Sequence, residues 1–176
     1  MDKTTFWQLI ESTNEQAQGN QQVQGQALIR SLEKLEPDQI IEFECLLCEY
    51  LIEADDFAIM AAQKILDGYV SDDTYLAFRC WLIGQGETAF RNTLQNPDVL
   101  VDILSEPYQS FEELLQVATT AFVNRTGKKT PDDTFPQAVA IVRGLDYDVD
   151  SVTKGEDWTE TQLPKMLPKL WKKFGI

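Results

Sequence analysis

Apolar residues recur at spacings of three and four along most of this chain, the period of a helix that turns one face toward a core. Phe6, Trp7, Leu9 and Ile10 open the pattern, with Thr4 or Thr5 placed to cap a first helix. The Gln/Asn/Gly-rich stretch from Gln16 to Gln26 interrupts it and is expected to be a loop. Leu28, Leu32 and Leu35 then share one face of a short helix that stops before Pro37, because a proline disfavours helical geometry in the residue ahead of it. Pro37 itself suits the first turn of a central helix. There Ile40, Phe43, Leu47, Tyr50 and Leu51 make a core stripe, and Glu42, Glu44, Glu49 and Glu53 are assigned to the wet face.

Phe57, Met60 and Ile65 continue the helical spacing as far as Gly68, a natural stop. Ser71-Asp72-Asp73 reads as an N-cap followed by two carboxylates in a first turn, where they favour the free N–H groups and the helix dipole. That helix should run to about Ile83, ended by Gly84 and Gly86, with further short helices from Glu87 to Leu94, after Asn96-Pro97, and along Phe111, Leu114, Ala118 and Phe122. Residues 127–156 are turn-rich, and Gln137 to Val142 fits a short helix or a strand equally well. Thr159 can cap a last helical stretch, kinked by Pro164 and Pro168 and ending near Phe174. The expected fold is all-α: residues 1–176 as one compact multi-helix domain with an irregular C-terminal segment.

Charge adds a constraint that the pattern does not. The 176 residues carry a formal charge of −14. Residues 1–124 hold 6 Lys+Arg against 21 Asp+Glu, and residues 125–176 hold 9 against 8. Binding to DNA, RNA or an anionic membrane needs clustered cations, so neither nucleic acid nor a membrane is expected as a partner; the acidity suits solubility first, with a basic protein partner or nucleic-acid mimicry as the alternative. No apolar run approaches the roughly 20 residues of a membrane-spanning helix, and the start lacks a signal peptide's basic-then-apolar order, so the expected location is cytoplasmic. Three cysteines there are expected to be reduced.

Candidate chemistry is sparse. The chain has no histidine, which removes Ser-His and Cys-His nucleophile schemes and the commonest metal ligand. No Gly-Lys-Ser/Thr run or GxGxxG motif offers a phosphate cradle. Cys45 and Cys48 have CxxC spacing but lie inside the apolar stripe without a second ligand pair, so they read as packing thiols. Neither catalytic residues nor a metal site nor a cofactor is assigned. Asp55-Asp56, Asp72-Asp73, Asp132-Asp133 and Glu156-Asp157 are paired carboxylates that could hold a divalent cation only if the fold brought them together.

The segment from Ser71 to Gly86, SDDTYLAFRCWLIGQG, resembles the signature of a bacterial family of domains of unknown function, some of whose members are molybdate-metabolism-regulator-like. The FWQLI run at Phe6–Ile10 and the tail GEDW from Gly155, followed by LPKLW from Leu167, resemble that family's beginning and end. The resemblance implies a small intracellular bacterial protein and no particular chemistry.

Within the signature, Tyr75, Arg79 and Leu82 share a helix face, with Trp81 on the adjoining one. Arg79 needs a partner, which could be Tyr75 by stacking or an acid of Glu156-Asp157. Candidate ligand or partner residues are therefore Asp72, Asp73, Tyr75, Arg79, Trp81, Gln85, Glu156, Asp157 and Trp158. The leading functional reading is a non-enzymatic interaction or regulatory module, one form of which is an immunity or inhibitor protein covering a basic partner. Its alternatives are a metal-assisted enzyme or a small-ligand sensor built on clustered carboxylates.

Overall fold

The computed structural model describes residues 1–175. Helices α1 (Lys3–Ala17) and α2 (Gln21–Leu32) form an antiparallel pair, followed by α3 (Pro37–Glu53), α4 (Phe57–Asp67), α5 (Asp72–Gly84) and α6 (Glu87–Gln95). A 3₁₀ turn over Pro97–Asp102 leads to α7 (Leu114–Thr126), α8 (Pro136–Val142), α9 (Leu163–Met166) and α10 (Pro168–Phe174). The protein is all-α, and no strand occurs among the described residues. Among the described residues no helix is long and apolar enough to cross a membrane.

Helix α3 is central, packed by α1, α5, α7 and α8. One end of the core is aromatic, with the Phe6 ring 4.9 Å from Phe43 and the Trp7 ring 4.6 Å from Tyr50 and 5.3 Å from Phe90. The buried indole N–H of Trp7 donates to the Tyr50 hydroxyl at 3.0 Å, so the polar tips of both rings are satisfied inside the core.

Several sequence expectations need correction. Asp2, not Thr4 or Thr5, caps α1, its carboxylate accepting the Thr5 N–H at 2.8 Å. The expected loop from Gln16 to Gln26 is mostly helix: the chain turns only at Gln18-Gly19-Asn20, with Gln18 and Gly19 at positive φ, and Asn20 caps α2 through the Val23 N–H. The polar composition misleads because Gln24 is buried, donating to the Gly84 carbonyl at 2.8 Å and to that of Ile10 at 3.4 Å. Glu44 is not on a wet face either. It is buried within α3, and Glu42, Glu49 and Glu53 are each drawn into ion pairs, with Arg143, Lys3 and Arg91. The undecided stretch Gln137–Val142 is helical.

The C-terminal helices are anchored from a distance. The buried Asp98 carboxylate accepts the backbone N–H groups of Lys169 and Leu170 at 3.0 and 2.8 Å, acting as an external cap for the first turn of α10. In return Lys173 donates to the carbonyls of Val101 and Leu104.

Trp81 is 3% exposed and stacks on Phe78 with ring centroids 5.5 Å apart. Trp81→Ala should therefore cost about 3–5 kcal/mol, the usual range for truncating a large aromatic in a packed interior. Denaturant titration checks this, and an unchanged midpoint would remove Trp81 from the core.

Candidate functional site

The signature helix begins with a capping box. Ser71 and Thr74 exchange bonds between side chain and backbone, and Asp72 and Asp73 stand exposed in the first turn of α5. Two turns on, the helix carries Tyr75 and Arg79 into the protein, where both are buried. Arg79 points back along α5, as long helical side chains do, and its Cζ lies 4.6 Å from the centre of the Tyr75 ring.

The cation also reaches across to the end of α3. Arg79 Nη1 donates to the Leu51 carbonyl at 2.8 Å and stands 4.0 Å from the Asp55 carboxylate. Leu51 lies in the last turn of α3, where carbonyls lack helical partners and a positive charge complements the dipole. Tyr75 closes the same corner. Its hydroxyl lies 3.2 Å from the Ala54 carbonyl and 3.0 Å from that of Asp56, and it accepts the Asp56 N–H at 3.0 Å. Burial pushes the Tyr75 phenol above its ordinary range, so it stays a neutral donor.

Residues 151–158 complete the arrangement from the other side. Lys154 N–H donates to the Asp55 carbonyl and Phe57 N–H to the Lys154 carbonyl, each at 2.9 Å. Ser151 donates to the Asp55 carboxylate, the Lys154 ammonium to the Glu53 carbonyl, and the Trp158 indole to the Phe57 carbonyl at 2.7 Å. Gly155 has φ +81°, and a Cβ there would stand 3.3 Å from the Asp56 carboxylate, so a residue without a side chain fits this crossing.

The predicted residues therefore separate. Tyr75 and Arg79 meet by stacking, as one of the two sequence alternatives has it, but the acid beside Arg79 is Asp55 and not Glu156 or Asp157, which are exposed. Trp81 lies in the core, and half-buried Gln85 donates to the Trp81 carbonyl at 3.3 Å within its own helix. Among the described residues no group of three or more Cys, Asp or Glu side chains is arranged to hold a metal ion. Asp73 lines a cleft of about 270 Å³, shared with Asp67, Ala77, Tyr108 and Glu112. Asp67 is pushed up by burial there, although it accepts bonds from Gln63 and Tyr108.

The sequence marks Asp55 only as half of the Asp55-Asp56 pair, not as the acid beside Arg79, and gives no sign of Ser151, which donates to Asp55. Glu44 escaped the sequence reading, although a signal existed: it follows Ile40 by four and precedes Leu47 by three, on the buried stripe.

A family of proteins of unknown function, DUF4240, matches residues 1–124. The chain belongs to this family. In this DUF4240 protein the match takes in the first six helices and most of α7, including Tyr75, Arg79 and Asp55, while the segment bearing Ser151, Lys154 and Trp158 lies beyond it. No curated protein and no solved structure matches.

If Tyr75 holds this corner, Tyr75→Phe leaves the buried backbone groups of residues 54–56 short of a partner and should cost about 1–3 kcal/mol. Chemical denaturation measures it, and a loss below about 0.5 kcal/mol, the scale of an ordinary surface substitution, would deny the hydroxyl this role.

Proposed function

We propose that this DUF4240 protein is a non-enzymatic interaction module of a bacterial cytoplasm that captures a basic partner protein through residues 141–152. One observation carries the reading. Of the eight large hydrophobic side chains exposed among the described residues, four fall in this short stretch: Ile141, Val142, Val149 and Val152, at 48, 83, 77 and 81% exposure. Scattered apolar side chains on a surface are ordinary, and their concentration in one segment is what supports a contact surface there.

Charge complementarity selects the partner. Asp148 and Asp150 are exposed among these residues, and the whole chain carries −14, so a cationic surface is attracted over a distance and then meets an apolar centre with acidic neighbours. The same field repels phosphate, which disfavours nucleic acid and anionic membranes. An inhibitor or immunity protein that covers a basic active site is one form such a module takes. Separation of the carboxylate candidates, with Asp72 and Asp73 at the start of α5 and Arg79 occupied by α3, supports a binding role over a catalytic one. The cleft around Asp67 and Asp73 favours a second reading, a sensor of a small cationic ligand.

The partner, recovered from the native cell, should be basic. Its association rate should fall at least tenfold as the Debye length shrinks from about 10 Å at 0.1 M salt to about 3 Å at 1 M, and binding should be lost on Val142→Asp with Val149→Asp. Stopped-flow association of the purified pair reads both. A rate indifferent to salt, or binding untouched by the two substitutions, would withdraw the proposal, as would a gel shift of DNA or RNA at physiological ionic strength.

A further inference from the structure

Helix α8 and residues 143–147 lie over the face of α3 that carries Glu44, with Cys45, Cys48 and Ala140 buried together and Ile41, Leu145 and Tyr147 packed around them. Glu44 is 2% exposed. One carboxyl oxygen faces the Cys48 thiol at 3.9 Å, and the other has no hydrogen-bond partner. A charged carboxylate so placed is expensive, whereas a protonated one is tolerable.

No neighbour is free to compensate the charge. On α3 itself Glu44 has Cys45 and Cys48, and at the rim Arg143 is already engaged by Glu42 at 2.8 Å while facing the Cys45 sulfur at 3.4 Å. Helix α5 contributes Cys80, with Arg79 turned away to Leu51 and Asp55. The covering segment contributes Asp146 and Tyr147, and α7 presents its apolar side, its one cation Arg125 being paired with Glu36. Burial pushes the thiols of Cys48 and Cys80 and the phenol of Tyr147 up, away from neutrality. Within this cluster Glu44 is the group left to titrate near pH 7, because desolvation raises its carboxyl to about 7.

We propose that Glu44 is a proton-operated latch: protonated, it lets α8 and residues 143–147 close over α3, and its ionisation loosens that covering segment. The sign follows from linkage. A carboxyl at about 7 when covered and at 4.5 when solvated favours the closed state at low pH. Opening gains roughly 300-fold between the acid and alkaline limits, about 80-fold of it between pH 4.5 and 7, and the gain levels off above 7 because Glu44 is then ionised in both states. The latch stands without the docking surface proposed above. Since Ile141 and Val142 ride on the same segment, both together would make partner capture pH-dependent.

Amide hydrogen exchange on the full chain, corrected for intrinsic exchange rates, tests it between pH 5 and 8. Protection at Val139, Arg143 and Leu145, whose N–H groups bond to carbonyls of Phe135 to Ala140, should fall roughly 40-fold from pH 5 to 7 and only about twofold more by pH 8. Glu44→Gln keeps the shape and cannot ionise, so its protection should stay flat, with Glu44→Met in its place should the glutamine protein not fold. Amides of α1 should not follow this profile in either protein. Flat protection in the wild type, the same pH profile in wild type and variant, or an equal loss in every helix would each overturn the latch.

Discussion

At the end of helix α3 the Tyr50 and Ile52 carbonyls accept the Ala54 and Asp55 N–H groups, but those of Leu51, Glu53 and Ala54 are met from outside the helix. Buried carbonyls must be paired, and almost everything distinctive in this molecule answers that need. Arg79 takes Leu51, Lys154 takes Glu53, Tyr75 takes Ala54, and the backbone of Lys154 takes Asp55. Two segments distant in sequence, the signature helix and residues 151–158, are thereby fixed against one corner. The arginine brings a positive charge to the negative end of a dipole and has Asp55 beside it, which offsets part of the cost of burying it with an unpaired Nε. A signature rich in aromatic residues around one cation therefore works first as the closure of a helix end.

The matched family region and the rest of the chain depend on each other through the same corner. Residues 1–124 contain α3 and the arginine, but the bonds to the Glu53 and Asp55 carbonyls come from beyond that boundary. Asp98 repeats the arrangement, its carboxylate capping α10 from within the matched region. Leu163, Leu167 and Leu170 of the C-terminal helices join the main apolar core. The irregular C-terminal part is thus built into the fold rather than appended to it.

Much of this was legible in the sequence, and the errors have physical reasons. Helix period, Pro37 at a first turn, Gly68 as a stop and the cap at Ser71 are local signals, and all appear as expected. Tyr75 and Arg79 are four apart, so their stacking follows from helix geometry alone. Asp55 as the neighbouring acid could not be read, since that contact is set by how α3 and α5 pack. Gln24 and Glu44 misled for a different reason. Their residue type points to solvent while their position points inward, Glu44 standing on the same stripe as Ile40 and Leu47.

Two ionisable side chains buried near α3 show how differently the same cost can be met. Arg79 is met by a carbonyl, a carboxylate and an aromatic face, with its Nε alone left unpaired. Glu44 has a weak thiol donor and an unpaired oxygen, and so holds its proton up to about pH 7. An arginine cannot shed its charge in any ordinary range, whereas a carboxyl can. Stability should therefore be graded with proton concentration where α8 covers the middle of the central helix. Placing the titratable group under the segment that also carries the exposed Ile141 and Val142, rather than under the corner that holds the fold together, confines the effect of its ionisation to a surface element.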